Sequence, residues 1–333
     1  MTRIAAALQD LRAVSLAAMA TVLPSTDPGT AAEVVDRIGA APRHAWLVRR
    51  WLVALTEAKL LRRDGDRYRW ATVAAATADL ADAYAELGFP PRMAAFHRTA
   101  LTLLPELVRD EVTVQELLFA DGDVVEALAA YQDNVITAEL NERCGRLARE
   151  VCDAVSGPAQ IVELGGGAGL TTAAMLRALD GTDVDYLFTD LSRILVSAAR
   201  QRYADRPEMT FRQLDIDAAF EGQGLLPGSA DIVVAGNVLH NAAERCRTLT
   251  EIHRLLGPGG SLLFTESIGD DPAVLTSMQF LLSPAQGTAR TDEFFPGPDE
   301  WAAELIKVGF AAPAVTTSHF QALFHVRREE AAP

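Results

Sequence analysis

The sequence predicts an α/β fold: a doubly wound, Rossmann-like sheet preceded by a mainly helical, winged-helix-like N-terminal domain. Three observations carry that expectation. The stretch Ile161 to Gly169 (IVELGGGAG) reads as a strand, a tight turn and the start of a helix. From there to Glu266, apolar runs ending in an acid or a glycine alternate with helical stretches, the pattern of a parallel sheet. Before residue 155 the apolar residues recur almost entirely at helical spacing. The expected domains are therefore 1–155, a capping or dimerisation module, and 156–333, a ligand-binding α/β domain.

Composition bounds what such a chain does. Its 333 residues can bury more than one core. Lys plus Arg total 30 against 45 Asp plus Glu, a formal net charge of −15. A field of that sign opposes nucleic acid and anionic lipid surfaces, so neither is an expected partner. Cys144, Cys152 and Cys246 include no CxxC pair and are too few for a disulfide framework, which fits a reducing cytoplasm. Met1 to Leu23 is apolar, but Asp10 and Arg12 interrupt it and no small-residue cleavage pattern follows. It reads as an amphipathic helix. No uncharged apolar run reaches about 18 residues, so a membrane-spanning helix is not expected.

In the N-terminal third, Trp46, Leu47, Trp51, Leu52, Leu55 and Leu60 recur at helical spacing. Asp64-Gly65-Asp66 then turns the chain into the alternating Tyr68 and Trp70, giving a helix followed by a small hairpin. Arg49, Arg50, Arg62 and Arg63 lie along it, and in so acidic a chain they read as snorkelling side chains of a capping module. Helices are expected over 73–87, 93–107, 124–131 and 134–155, with Gly88-Phe89-Pro90-Pro91 breaking the first from the second. Ser156-Gly157-Pro158 ends the last of them.

The glycine turn opens the α/β half. Glycines at 165, 167 and 169 permit positive φ and let a ligand approach the backbone, and the helix behind them supplies unpaired N–H donors. A second apolar run, Val184 to Phe188, ends in Asp190, about 20 residues beyond the turn, where a Rossmann-like sheet accepts hydrogen bonds from ribose hydroxyls. A capping role for Asp190 at the following helix is the structural alternative. Met209 to Leu214 ends in Asp215-Ile216-Asp217, and Ala230 to Ala235 ends in Gly236-Asn237-Val238-Leu239-His240. After a helix over 243–255, Gly257-Pro258-Gly259-Gly260 turns into a last strand, Ser261 to Glu266. The ligand is expected at the carboxyl ends of these strands.

The segments LDI, DIVVAGNVLH and LLGPGGSLLFTE, with the glycine turn, resemble the class I S-adenosylmethionine-dependent methyltransferases. More narrowly, LGGGAGLTTAAML, YLFTDLS, NVLHNA, ELLFADGD, AAYQDN and RRWLVALTEAKLL resemble the mostly carbon-methylating methyltransferase domains of polyketide synthases and their free-standing relatives. The resemblance spans about 40–268 and weakens over Met278 to Trp301. It implies S-adenosylmethionine as methyl donor, with S-adenosylhomocysteine as product. It also implies a role in antibiotic or other secondary-metabolite biosynthesis. Without synthase modules in this sequence, the small-molecule acceptor is expected either free or bound to a carrier protein. Related two-domain enzymes also imply a homodimer.

By the same resemblance, Glu163, Gly165, Gly167, Asp190, Leu191, Asp215, Ile216 and Asn237 are the cofactor contacts, with Tyr131 near methionine or acceptor. Helix packing is an equal alternative for Tyr131. Methyl transfer is an in-line displacement from an acceptor that must lose a proton, so a base of near-neutral pKa is useful. His240 and Glu266 match the family's His and Glu dyad, implying His240 as base and Glu266 as the group that fixes its tautomer. Met278, Phe280, Arg290 and Phe295 are the acceptor-pocket candidates; the pair Phe294-Phe295 also suits a core anchor. No histidine forms a metal-ligand spacing with His240, so no metal is expected. Oxygen methylation of a phenol or enol asks for the same base and stays open, as do a winged-helix ligand sensor and an NAD-dependent reductase.

Overall fold

The structure, a computed structural model, describes residues 3–72, 78–120, 122–283 and 295–329. In chain order the first elements are α1 (Arg3–Val22), β1 (Gly29–Thr30), α2 (Ala31–Ile38), α3 (Ala45–Glu57), β2 (Leu61–Asp64) and β3 (Arg67–Trp70). The helices α4 (Leu80–Glu86), α5 (Pro91–Thr102), α6 (Leu104–Val108), α7 (Val114–Leu118), α8 (Val124–Gln132) and α9 (Val135–Cys152) follow. The α/β alternation comprises β4 (Ala159–Leu164), α10 (Leu170–Ala178), β5 (Val184–Asp190), α11 (Arg193–Arg202), β6 (Met209–Gln213), β7 (Ala230–Gly236), α12 (Arg245–Leu255) and β8 (Leu256–Ser267). The chain closes with α13 (Pro272–Leu275), α14 (Pro298–Lys307), β9 (Ala314–Ser318) and β10 (Gln321–Arg327).

These elements form two compact units. The first comprises 1–131 together with 270–294, and the second 132–269 together with 295–333. This differs from the expected division at 155. The helix α9 belongs with the sheet because its Leu140, Cys144 and Ala148 are buried in one cluster with Ile161, Tyr186 and Ile232 of the strands. Residues 270–283 return to the first unit, where Trp51 Nε1 donates to the Leu275 carbonyl and Arg50 pairs with Asp270.

In the first unit the expected helix and hairpin form as α3, β2 and β3, and Gly29–Thr30 adds a third strand beside β3. Trp51, Leu47, Leu52 and Leu55 are fully buried, which fixes the inner face of α3. By length and composition α1 is long and apolar enough to cross a membrane. Its Leu11, Leu16 and Met19 are instead buried, and it packs against α4, α3 and α13. Buried histidines punctuate this core. His97 bridges the Tyr84 hydroxyl (2.9 Å) and Thr276 Oγ1 (3.0 Å), and His44 Nδ1 lies 2.8 Å from Ser283 Oγ.

The second unit holds a seven-stranded sheet in the order β6-β5-β4-β7-β8-β10-β9. Strands β6 to β8 run parallel, whereas β10 is antiparallel to both its neighbours. A two-residue link, His319-Phe320, joins β9 to β10, too short for a crossover helix, so the expected parallel sheet ends in a hairpin. Successive strand residues point to opposite faces and both faces are buried. Ile161, Phe188, Val234 and Leu263 pack under α9, α10 and α11, while Val162, Val233, Leu262 and Phe264 pack under α12 and α14. Phe264 stacks on Phe324 at 4.5 Å, as direct cross-strand partners. The carboxyl ends of β4, β5, β7 and β8 thus lie along one edge of a rigid sheet.

Candidate active site

The glycine turn closes β4 onto α10. Gly165 and Gly167 have φ of 60° and 57°, in the left-handed region that glycine enters without steric cost. A Cβ on Gly165 would sit 2.4 Å from Val238 Cγ2, so only glycine lets this turn close against the segment that carries His240. A Cβ on Gly167 would meet nothing nearer than the Gly165 carbonyl oxygen at 3.9 Å, which leaves that side of the turn open. No side chain caps the start of α10, and its first N–H groups remain donors.

Several side chains brace this turn from beneath. Thr189 Oγ1 donates to the Glu163 carbonyl at 2.6 Å, and the Tyr203 hydroxyl donates to the Gly169 carbonyl at 3.2 Å. Asp190 divides its carboxylate between the Gly167 N–H (3.0 Å) and the Ser192 N–H (2.8 Å). Burial raises its pKa and these two hydrogen bonds oppose the rise. Each oxygen accepts one bond and has capacity for another. Glu163, expected as a cofactor contact, is fully buried. Its Oε2 accepts from Thr172 Oγ1 (2.7 Å) and the Tyr186 hydroxyl (2.9 Å), and desolvation pushes its pKa up to about 7.

The loop after β6 is stitched by one side chain. Gln223 accepts from the Asp215 N–H at 2.8 Å and donates to the Asp215 carbonyl at 2.9 Å. Ile216 beside it is half-buried, while Leu191, after β5, is 63% exposed. So large an exposed apolar side chain next to Asp190 is available to cover a flat ligand.

Between β7 and β8 the structure brings His240 and Glu266 together. Glu266 Oε2 lies 2.7 Å from His240 Nδ1, and Oε1 accepts from the His240 backbone N–H at 3.1 Å. The carboxylate is fully buried and the histidine 8% exposed. An ionised carboxylate only accepts, so Nδ1 carries the proton in this contact, and in the neutral ring the lone pair is then on Nε2. The Phe295 ring lies 5.0 Å from the imidazole, at 49° to it. Asn237, just before, has φ of 54°, and its Oδ1 accepts from the Ser267 N–H (3.1 Å) and hydroxyl (3.2 Å).

Tyr131, Met278 and Phe280 belong to the first unit. Phe280 is buried there, edge-on to His44 (5.0 Å) and Trp51 (6.4 Å), and Met278 is buried beside it. Burial and then the nearby Asp271 carboxylate push the Tyr131 hydroxyl pKa up. Arg290 and Phe294 fall outside the described residues. Sequence reasoning missed Thr172, Tyr186, Thr189, Tyr203 and Gln223, because nothing in their spacing separates a bracing hydroxyl or amide from a surface one.

Comparison with known proteins shows what this chain is similar to. Residues 162–262 match the family model described as a methyltransferase domain. Pyochelin synthetase PchF of Pseudomonas aeruginosa is 27% identical over 328 residues, covering 92% of this chain and 18% of that protein. The lovastatin diketide synthase lovF of Aspergillus terreus is 36% identical over 173 residues, covering 51% of this chain and 7% of its own length. The chain thus spans less than a fifth of these curated relatives. Among solved structures, the CurJ carbon methyltransferase superposes with a TM-score of 0.84 at 20% identity, covering 97% of this chain and 92% of that one. The DszA carbon methyltransferase gives 0.81 at 22%, covering 98% and 90%. The trans-methyltransferase CalH, solved with S-adenosylhomocysteine, gives 0.63 at 20%, covering 97% and 90%. Residues 162–262 thus match a methyltransferase domain, and the chain has the Rossmann-like fold of the CurJ and DszA carbon methyltransferases.

Proposed function

We propose that this protein is a cytoplasmic S-adenosylmethionine-dependent methyltransferase of natural-product metabolism, methylating an acidic carbon of a small molecule with His240 as general base and Glu266 as its orienting partner. The observation that carries this reading is the two-point hold of Glu266 on His240, through the backbone N–H and Nδ1. It locks ring orientation and tautomer together and leaves Nε2 as the proton acceptor.

The residues present fit an adenosine-containing donor. The open face at Gly167 admits a ligand against the backbone, Asp190 has acceptor capacity for ribose hydroxyls, and Leu191 and Ile216 supply apolar cover for adenine. When bound, S-adenosylmethionine supplies an electrophilic methyl group and leaves as S-adenosylhomocysteine. His240 Nε2 takes the proton from the acceptor carbon as that carbon bonds to the methyl group, and the imidazolium is stabilised by the Glu266 carboxylate. Phe295 beside the ring limits water around it. The carbon and synthase character of the compared proteins favours carbon over oxygen, and an acceptor presented as a carrier thioester over a free acid.

The test offers methyl-¹³C-labelled S-adenosylmethionine with two probes, an N-acetylcysteamine thioester of a 3-oxo acid and a simple phenol. The expected product carries the label on carbon; label on oxygen alone would move the assignment to O-methylation. S-adenosylhomocysteine should give binding heat in calorimetry where NADH gives none, and the reverse would end the methyltransferase reading. His240→Ala should retain S-adenosylhomocysteine affinity and lose about 100- to 10,000-fold in kcat.

A further inference from the structure

His240 lies in a short segment, Asn237 to Ala243, that contains only one 3-10 turn, Leu239–Asn241. Glu266 holds the histidine itself, but two further clamps hold the ends of the segment. At its start, the Asn237 N–H donates to the Thr265 carbonyl at 2.7 Å, and Asn237 Oδ1 accepts from both Ser267 donors. The left-handed backbone of Asn237 turns the chain off β7, and asparagine is among the few non-glycine residues that tolerate it. At its end, the Ala243 N–H donates to Asp217 Oδ1 at 2.8 Å. Asp217 is itself set by its own N–H on Asp215 Oδ1 (2.9 Å), and Thr248 of α12 binds the Ile216 carbonyl (3.1 Å).

The first clamp ties the His240 segment to the end of β8, the strand that carries Glu266. The second ties it to the loop read here as the adenine side. A shift of about 1 Å between a base and its acceptor is enough to cost on the order of a hundredfold in rate. We infer that Asn237 and Asp217 are positioning residues that hold His240 in register with Glu266, rather than groups that contact methyl donor or acceptor. The inference rests on His240 being the base. It gives the side-chain oxygen of Asn237, expected as a cofactor contact, a structural job instead.

Asn237→Gly keeps the permitted φ and the backbone bond to Thr265 but removes the side-chain half of the first clamp, whereas Asp217→Ala removes the acceptor of the Ala243 N–H and Asp217→Asn keeps one. With the 3-oxo thioester as probe, Asn237→Gly and Asp217→Ala should each lower kcat about tenfold to a hundredfold, with S-adenosylhomocysteine affinity within about threefold of the starting protein. Asp217→Asn should recover most of the loss. Added to His240→Ala, Asp217→Ala should cost nothing more in kcat, because it acts through the histidine. In ¹⁵N-histidine-labelled protein, the Nδ1–H signal assigned to His240 by its absence from His240→Gln should weaken in both clamp variants and persist in Asp217→Asn.

An undisturbed His240 signal in the clamp variants overturns the inference. So does a loss lying wholly in cofactor affinity, or an additive loss on His240→Ala. Near-normal turnover of His240→Ala itself is a separate outcome that removes the base, and the ring signal still decides whether the clamps hold the histidine.

Discussion

At the scale of single residues, Glu163 has costly surroundings. It is fully buried, and its Oε1 has no hydrogen-bond partner. Desolvation raises its pKa from 4.5 to about 7. Between those values the folded chain keeps a proton that the unfolded chain releases, so rising pH favours unfolding. The contribution to stability is full below pH 4.5 and is lost as pH rises through 7. Glu163→Gln cannot titrate, and its carbonyl can still accept from Thr172 and Tyr186. In urea unfolding, the variant should gain on the original protein between pH 5 and pH 8, by up to about 3 kcal/mol. An equal difference at both pH values would show that Glu163 does not titrate in this range. The acid before the first glycine was legible in the sequence. That it faces inward was not, because period-two alternation in a strand buried on both faces does not reveal which side meets a ligand.

At the scale of elements, α9 and α10 meet at Gly145. A Cβ there would lie 2.7 Å from Ala178 Cβ and 3.1 Å from the Ala174 carbonyl oxygen. Backbone supplies one of those contacts, so the helices must separate to admit a larger residue. Gly145→Val should destabilise by about 1–3 kcal/mol, visible as a lowered Tm. Gly222, with nothing within 4 Å of its Cβ position, is the control: Gly222→Ala should lie within about 0.5 kcal/mol of the starting protein. Equal effects at the two sites would mean that close helix packing is not what Gly145 provides. Helical spacing announced α9 almost to its ends, expected over 134–155 and observed as Val135–Cys152. Its membership of the sheet unit was hidden, since periodicity marks an apolar face without naming what covers it.

At the scale of the whole molecule, two histidines of the first unit contribute to acid sensitivity. Desolvation lowers the His97 pKa to about 4; His44 is lowered to about 4 by burial and then by Arg43. Below 6.5 the unfolded chain takes up protons that these folded rings refuse until about pH 4. Stability is therefore present above 6.5 and is lost as pH falls through this window. Glu163 acts in the opposite direction from 4.5 to 7, so the slopes partly cancel where they overlap. His97→Gln should make the acid limb of unfolding free energy against pH shallower by about one proton. An unchanged slope would mean that His97 does not stay neutral on folding.

The sequence alone determined the Rossmann-like order of strands and helices and its opening glycine turn. It also marked the spacing that singled out Asp190, His240 and Glu266. Such features are written in local periodicity, in glycine's access to positive φ and in family-specific intervals. Only the tertiary structure decided what depends on neighbours distant in the chain. That includes the return of 270–283 to the first unit, the antiparallel β10 beside β8, and the inward-facing Glu163. It also includes Asp217 and Asn237 at the two ends of the His240 segment. Hydrogen bonds across 26 and 30 residues of chain leave no local trace, because their partners are brought together by sheet register rather than by spacing along one element.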